Sequence, residues 1–269
     1  MKYILLLLCI LSLSCKYNVT NPVGTLRDYT EGSGITYYVS SSATVADIEN
    51  ALMKNKHSLG KYKIVVSASS SSDNKILTNI ADALKSNSSF NNVEVDISKL
   101  EGITEIPEGV FKKDVKNLGS ISLSDKVEKI GKEAFSGCSS LSDVRFSNGL
   151  KNISEGAFSN CSALTLVMLS SEKLTTIEKN AFSGCSSLKS IILSASLTTI
   201  CDDAFSGCNQ LQNVEYLGSS TDNLKSSPFK TNPKPNNLYL PNVEEKNKSS
   251  FNSFLGGNWT IYAKKHIPN

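Results

Sequence analysis

The chain has 269 residues, with 28 Lys and Arg against 25 Asp and Glu, only two His, and a hydrophobic share of 39%. This apolar share excludes a disordered chain, the net charge of +3 is too small for a nucleic-acid-binding surface, and two histidines leave little room for histidine catalysis or a multi-histidine metal site. Serine, at 43 residues, far exceeds its usual share and indicates either low complexity or a repeated unit.

The first element in the chain is a predicted lipoprotein signal peptide over residues 1–14. Lys2 precedes an apolar run from Tyr3 to Leu13, which is too short for the ~30 Å hydrocarbon core of a membrane and is typical of a secretory signal. The run ends in Ser12-Leu13-Ser14-Cys15, which resembles a bacterial lipobox, although Ser12 stands where Leu is usual. We therefore expect lipidation at Cys15, with an ordinary secretory signal as the alternative.

The next two segments are a predicted tether and a predicted α/β region. Residues 15–34 are polar, contain Gly and Pro and show no apolar period, which predicts a flexible tether. In residues 35–100, helix patterns at 44–54 and 73–85 alternate with short apolar strands, and Thr44 and Asp73 are placed to cap the helices. We predict βα units whose sheet continues into the following residues; a separate small α/β domain is the alternative.

Residues 101–217 carry a repeat of 23–24 residues. Copies of the motif A-F-S-x-C begin at 134, 157, 181 and 204, and a degenerate copy precedes them at Phe111. An Ile lies five residues before each Phe, and each Cys is followed by L-x-x-hydrophobic-x-hydrophobic, the alternation of a short strand with one buried face. Such a unit cannot bury its apolar side alone, so neighbouring copies must stack into a solenoid. Many serines, such as Ser136 and Ser183, fall at set places around the Phe–Cys turn, so the repeat explains much of the serine excess.

The whole motif resembles the BspA-like, or treponemal-type, leucine-rich repeat. The resemblance implies an α/β leucine-rich-repeat solenoid, and the candidate strands predict a curved parallel sheet of roughly 9–10 strands. It further implies a protein of the bacterial cell envelope: an outer-membrane or cell-surface lipoprotein, with the periplasmic face as another location. Better-known members bind host matrix proteins or other cells. The resemblance implies no catalytic activity, and we expect no cofactor.

Four cysteines occupy one column of the repeat, three residues after each Phe: Cys138, Cys161, Cys185 and Cys208. Because equivalent residues of stacked coils point the same way, we predict a structural ladder of buried free thiols. Disulfides between adjacent coils are the alternative. A zinc site is a weaker hypothesis, because no C-x-x-C occurs and the spacing of the cysteines follows the repeat. We therefore expect no metal.

One pair of motifs suggests an enzyme. Ser58-Leu59-Gly60-Lys61 is an S-x-x-K and residues 72–74 are an S-D-N, as in penicillin-recognising serine enzymes. The third motif, K-T-G, does not occur, and a chain this rich in Ser and Lys produces such triplets by chance. We predict no enzymatic activity.

Residues 218–269 are predicted to form a terminal repeat and a C-terminal cap. Leu238-Tyr239-Leu240 is a candidate strand, preceded by an exposed loop at 218–236. A helical stretch at 242–255 and a last strand containing Trp259 would cover the open end of the solenoid.

A leucine-rich solenoid presents its sheet as a concave face, where ligands meet the outward residues. We predict Leu166, Met168 and Ile192 as an exposed apolar patch, flanked by Arg145 and Glu215. The predicted central outward column runs through Tyr38, Val65, Glu94, Ser122, Arg145, Met168, Ile192, Glu215 and Tyr239. The alternative is that these are single β-favouring residues with no partner.

The sequence thus favours a lipid-anchored envelope protein that mediates protein–protein interaction or adhesion through the concave face. Its partner would be a protein or a glycan, such as a host extracellular-matrix protein, and not a nucleic acid. The alternative is a structural periplasmic protein without a host ligand.

Overall fold

The computed structural model describes residues 27–28, 35–220, 224, 226–229 and 235–262. The predicted signal peptide, the lipidation site Cys15 and most of the predicted tether lie outside these residues. Within the described part, no helix is long and apolar enough to cross a membrane.

Most of the described elements are short strands, one or two to each coil. The strands and α-helices are β1 (Arg27–Asp28), β2 (Thr36–Val39), α1 (Val45–Leu59), β3 (Lys63–Val66), α2 (Lys75–Ser86), β4 (Val93–Asp96), β5 (Glu105–Ile106), β6 (Leu118–Ser122), β7 (Lys129–Ile130), β8 (Asp143–Arg145), β9 (Asn152–Ile153), β10 (Leu166–Leu169), β11 (Thr176–Ile177), β12 (Ser190–Leu193), β13 (Thr199–Ile200), β14 (Asn213–Tyr216), β15 (Asn237–Tyr239) and β16 (Thr260–Tyr262). Two 3₁₀ helices, Glu245–Phe251 and Phe254–Gly256, precede the last strand.

The main sheet confirms the predicted leucine-rich solenoid. Its strands follow the orders β1-β2-β3-β4-β6-β8 and β10-β12-β14-β15-β16, and all neighbours pair in parallel except β1 and β2. The two runs contact each other through β8 and β10, where the regular pairing is interrupted. A second parallel ladder, β5-β7-β9-β11-β13, consists of two-residue strands, and each strand contains the Ile that lies five residues before a Phe of the repeat. The sequence showed the Ile spacing but not that these residues form strands.

The N-terminal region has the predicted strand–helix–strand–helix–strand order. Thr44 caps α1 in a reciprocal arrangement: its side chain accepts from the Asp47 backbone N–H, and the Asp47 carboxylate accepts from the Thr44 N–H. Asp73 does not cap α2 as expected, because the helix begins later, at Lys75. Its carboxylate instead accepts a hydrogen bond from the Lys75 N–H at 2.9 Å. Strand β4 pairs in parallel with β6, which joins this region to the sheet of the repeats.

The register of β4 differs from the predicted alignment. Asp96, and not Glu94, lies between Val65 and Ser122 in the outward column. The pairing with β6 is irregular between Val93 and Glu94, which shifts the strand along its neighbour. The sequence could not reveal this shift, because Val95 and Ile97 alternate in the same way and both are buried.

A stack of phenylalanine rings fills the core of the repeats. Neighbouring centroids are 5.0–5.5 Å apart and the rings are nearly parallel. The six members are Phe111, Phe135, Phe158, Phe182, Phe205 and Phe229. The expectation that the loop at 218–236 is exposed is therefore wrong at Phe229, and also at Leu224, because both are buried. The interval of 24 residues from Phe205 to Phe229 was the signal that could have revealed the sixth member.

The C-terminal end is closed by 3₁₀ helices instead of one regular helix. Phe251 and Phe254 are buried and pack against the ring of Tyr216. Trp259 donates its indole N–H to the Phe254 carbonyl at 2.7 Å and places its ring edge-on to Phe229. This stretch covers the core with aromatic rings, as a solenoid end requires.

Candidate functional site

The concave face of the main sheet is formed by two rows of side chains that the strand register fixes. The central row is Tyr38, Val65, Asp96, Ser122, Arg145, Met168, Ile192, Glu215, Tyr239 and Tyr262. The second row, two residues earlier on each strand, is Thr36, Lys63, Glu94, Ser120, Asp143, Leu166, Ser190, Asn213, Asn237 and Thr260. Arg145 and Met168 occupy equivalent positions of the repeat on β8 and β10.

The predicted apolar patch exists on this face. Met168 is 51% exposed, and among the described residues only it and Met53 are large hydrophobic side chains with this degree of exposure. Ile192 pairs with Met168 in the register, Leu166 lies two residues away on the same strand, and both are half-buried. Arg145 is exposed on the preceding coil, as predicted. The three apolar side chains thus adjoin an exposed positive charge.

Two positions of the central row are not exposed, contrary to expectation, and Ser190 in the second row is also buried, at 6% exposure. Glu215 lies between Ile192 and Tyr239 in the central row but is only 1% exposed, and Val65 is 7% exposed. Alternation along a strand predicts the direction of a side chain but not what lies over it. Glu215 therefore does not flank the patch as an accessible charge.

Tyr239, also predicted for this face, is half-buried and forms part of an aromatic pair. Its ring stacks on that of Tyr262, with centroids 5.0 Å apart and planes 16° from parallel. Burial, and then the neighbouring Tyr262, raises the pKa of Tyr239. The sequence indicated both residues but not that they would meet across neighbouring strands.

Polar side chains of the second row form a ladder that sequence reasoning missed. The Asn213 side-chain amide donates to the Ser190 hydroxyl at 3.2 Å, and the Asn237 amide donates to the Asn213 carbonyl oxygen at 2.8 Å. Asn213 and Asn237 are half-buried, and Thr260 on the next strand is exposed. The recurrence of Asn 24 residues apart was the available signal.

The cysteine column lies inside the coils. All four thiols are free and fully buried, and each donates to the carbonyl of the Phe one coil earlier at 3.1–3.2 Å. Burial raises the pKa of Cys138 to about 12, and burial with the neighbouring Cys138 raises the pKa of Cys161. The pKa of Cys185 is raised first by its hydrogen bond with Cys208 and then by burial. Neutral thiols of this kind act as packing groups and not as nucleophiles.

Ser58 and Lys61 of the S-x-x-K motif both form contacts within the N-terminal region. Ser58 donates its hydroxyl to the Ile35 carbonyl at 2.6 Å, and Lys61 forms an ion pair with Glu94 at 2.8 Å. In the described part of the chain, no three His, Cys, Asp or Glu side chains are arranged to hold a metal ion.

Comparisons with known proteins agree with this architecture. The family model described as "BspA type Leucine rich repeat region" matches residues 104–236 in six copies, the number of rings in the phenylalanine stack. No curated protein matches the chain.

Three solved structures illustrate the likeness. A leucine-rich cell surface protein of Faecalibacterium prausnitzii is 34% identical over 48% of this chain and 33% of its own length, with a TM-score of 0.45. A leucine-rich repeat protein of T. pallidum is 24% identical over 64% of this chain and 86% of its own, with a TM-score of 0.44. The pneumococcal vaccine antigen PcpA is 20% identical over 64% of this chain and 42% of its own, with a TM-score of 0.51, and shares the fold.

This chain therefore spans only about a third of the Faecalibacterium protein. The repeat motif, the stacked coils and the matching family model lead to one conclusion: residues 104–236 belong to the BspA-type leucine-rich repeat family.

Proposed function

We propose that this is a lipid-anchored protein of the bacterial cell envelope that binds another protein through the concave face, as an adhesin or interaction module. The observation that carries the proposal is the contiguous apolar patch of Leu166, Met168 and Ile192. Protein interfaces concentrate their binding energy in a few such anchors surrounded by polar residues. Met168 suits this role because its flexible thioether side chain adapts to irregular partner surfaces.

The setting of the patch supports a partner that is itself apolar at the centre and carries charges of both signs at one edge, because Asp143 and Arg145 are both exposed on β8. Arg145 on one side is exposed and can pair with a carboxylate, whereas Glu215 on the other side is buried. Extracellular-matrix proteins of a host are one source of such a partner, and envelope proteins of the same cell are another. The lipid anchor at Cys15 would hold the N-terminal end of the solenoid at the membrane and leave the patch accessible several coils away.

The double variant Met168→Asp/Ile192→Asp tests the site. We expect binding to the partner to fall at least a hundredfold, because the apolar anchors are replaced by two charges that a complex would have to desolvate. The measurement is surface plasmon resonance against immobilised host matrix proteins and envelope extracts. Thermal unfolding by circular dichroism checks that the variant is folded.

Met53→Asp is the matched control. Met53 is 54% exposed on α1, away from the concave face, so its replacement removes an equally exposed methionine and should leave binding unchanged. Undiminished binding by the folded double variant would contradict the site. Labelling of Cys15 with a radioactive fatty acid in cells tests the anchor separately, and proteolysis of intact cells distinguishes a surface adhesin from a shielded periplasmic protein.

A further inference from the structure

We infer that the C-terminal third of the concave face is a binding site for an uncharged, extended glycan. The site is the ladder of Asn213, Asn237 and Thr260, with the stacked Tyr239–Tyr262 pair beside it. Ser190, which is buried at 6% exposure, anchors one end of the ladder by accepting from Asn213. The apolar patch lies on β10 and β12, whereas the accessible ladder lies on β14, β15 and β16, so the two sites can be tested separately.

The first argument is the pairing of donors and acceptors. Each asparagine amide has two N–H donors and an acceptor with two lone pairs. Asn213 uses one donor on Ser190, Asn237 uses one donor on Asn213, and these bonds fix the orientation of both amides. The remaining donor and acceptor capacity of each amide is held in place on a half-exposed surface. Sugar hydroxyls need this combination, since every hydroxyl both donates and accepts.

The second argument is charge. In the two rows of the concave face from β10 to β16, the only ionisable carboxylate or amine is Glu215, and it is 1% exposed. Earlier strands carry Lys63, Asp143 and Arg145 on the same face. An uncharged polar surface does not attract a phosphorylated, acidic or basic chain. A neutral glycan needs no charged groups on the protein, so its binding energy does not suffer from their absence.

The third argument is spacing. Neighbouring strands lie ~4.8 Å apart, so polar groups recur along the solenoid axis at about the length of one pyranose residue in an extended chain. A glycan that runs across the strands would meet one polar side chain per sugar over three neighbouring strands: Asn213 on β14, Asn237 on β15 and Thr260 on β16. At the far end, the half-buried rings of Tyr239 and Tyr262 stack on each other beside the ladder, and aromatic rings of this kind can pack against a sugar.

An extended peptide is the competing occupant of a polar sheet face. The apolar patch would favour it, but the side chains of the ladder are polar, whereas peptide recognition on a sheet normally takes its specificity from pockets for alternate side chains. The glycan is therefore the occupant that the residues favour, and a peptide is an outcome that the test can detect.

The test is isothermal titration of the full-length protein with neutral oligosaccharides of defined length: the cello-, chito- and laminari- series from disaccharide to hexasaccharide. We expect at least one series to bind, with affinity rising up to the trisaccharide and levelling off beyond it, because the accessible part of the ladder spans three strands. Asn213→Ala and Asn237→Ala should each weaken binding about tenfold, the loss of one hydrogen bond to a fixed amide.

Asn152→Ala is the matched control, because Asn152 also donates to a neighbouring coil, to Glu178 at 3.0 Å, but lies on the second ladder. It should bind the same oligosaccharide like the unmodified protein. Three outcomes would overturn the inference: binding of no neutral series, equal loss in all three variants, or binding only of peptides from a random peptide library. If no glycan binds but Met168→Asp/Ile192→Asp still loses its protein partner, the apolar patch remains the only site. The two proposals can therefore fail separately.

Discussion

At the residue scale, serine hydroxyls form hydrogen bonds between neighbouring coils, and their small size allows the coils to stack closely. Ser171 is buried at the end of a main-sheet strand and donates its hydroxyl to the carbonyls of Asn148 and Leu150, both at 2.9 Å. Ser194 repeats the arrangement one coil later and donates to the Ser171 carbonyl at 2.7 Å. These hydroxyls give backbone carbonyls of the preceding coil a hydrogen-bond partner. The serine excess of the sequence is therefore partly structural, at strand ends as well as around the Phe–Cys turn.

The buried thiols predict a dependence of stability on alkaline pH. The pKa of Cys138 is about 12 in the folded protein because burial disfavours the thiolate, whereas an unfolded thiol has a pKa of about 8.5. Between these values the folded chain holds a proton that the unfolded chain has released, so stability present below about pH 8.5 is lost as the pH rises towards 12. We expect urea unfolding to give a free energy that falls more steeply from pH 8 to 11 in the unmodified protein than in Cys138→Ala/Cys161→Ala. Equal slopes would contradict the assignment.

At the scale of single elements, helix α1 is tied to the sheet by one buried amide. Asn55 is fully buried; its carbonyl oxygen accepts from the Tyr37 N–H at 2.7 Å, and its amide donates to the carbonyls of Tyr37 and Lys63 at 2.9 and 2.8 Å. One side chain thus connects α1 with both β2 and β3. Periodicity predicted the apolar face of this helix correctly but gave no reason for a buried Asn on it.

Replacement of this amide should loosen the whole N-terminal unit. We expect Asn55→Leu to lower the free energy of unfolding by about 2–4 kcal/mol, because three hydrogen bonds are lost and buried backbone groups lose their partners. Asn50→Leu is the control, since Asn50 is exposed on the same helix. Urea denaturation compares the two, and similar midpoints would show that the buried amide has no special role.

At the scale of the whole molecule, the phenylalanine stack connects the coils through nearest-neighbour contacts. Phe158 contacts Phe135, Phe182 and Phe146, whereas Phe111 at the start of the stack contacts only Phe135 among the rings of the described residues. In a solenoid, stability is approximately a sum of coil and interface contributions. A defect in the middle therefore divides the array into two parts that can unfold at different denaturant concentrations.

Phe158→Ala should lower the free energy of unfolding by about 3–5 kcal/mol and broaden or split the urea transition. Phe111→Ala removes an equally buried ring with fewer ring contacts, so its transition should shift with less broadening. Hydrogen exchange should show faster exchange on one side of Phe158 than on the other. A single sharp transition in Phe158→Ala would mean that the coils unfold as one unit despite the gap.

The sequence predicted the structural features that recur in every coil and missed the features that depend on contacts made at one place only. The period, the inward Leu and Ile positions and the parallel sheet follow from spacing alone, because each coil buries the same face as its neighbour. The register shift at β4 comes from an irregular pairing, and the alternating segment V-E-V-D-I is compatible with either register. The burial of Glu215 depends on the residues that pack over the strand, which alternation does not predict. Of the predicted binding residues, Met168, Arg145, Leu166 and Ile192 lie where alternation placed them. The Asn213–Asn237 ladder needed the register, which only the structure supplies.

The antiparallel pairing of β1 with β2 has a consequence for how these molecules behave beside one another. Arg27–Asp28 pair with the first strand of the main sheet and occupy the edge to which a strand of another copy could add in parallel. A head-to-tail filament would form if the sheet of one molecule continued into the sheet of the next. Such a filament would first have to displace β1, so β1 blocks the addition of a further molecule at that end. In the lipid-anchored protein that we propose, such a stop would keep neighbouring molecules separate and leave their concave faces available to partners.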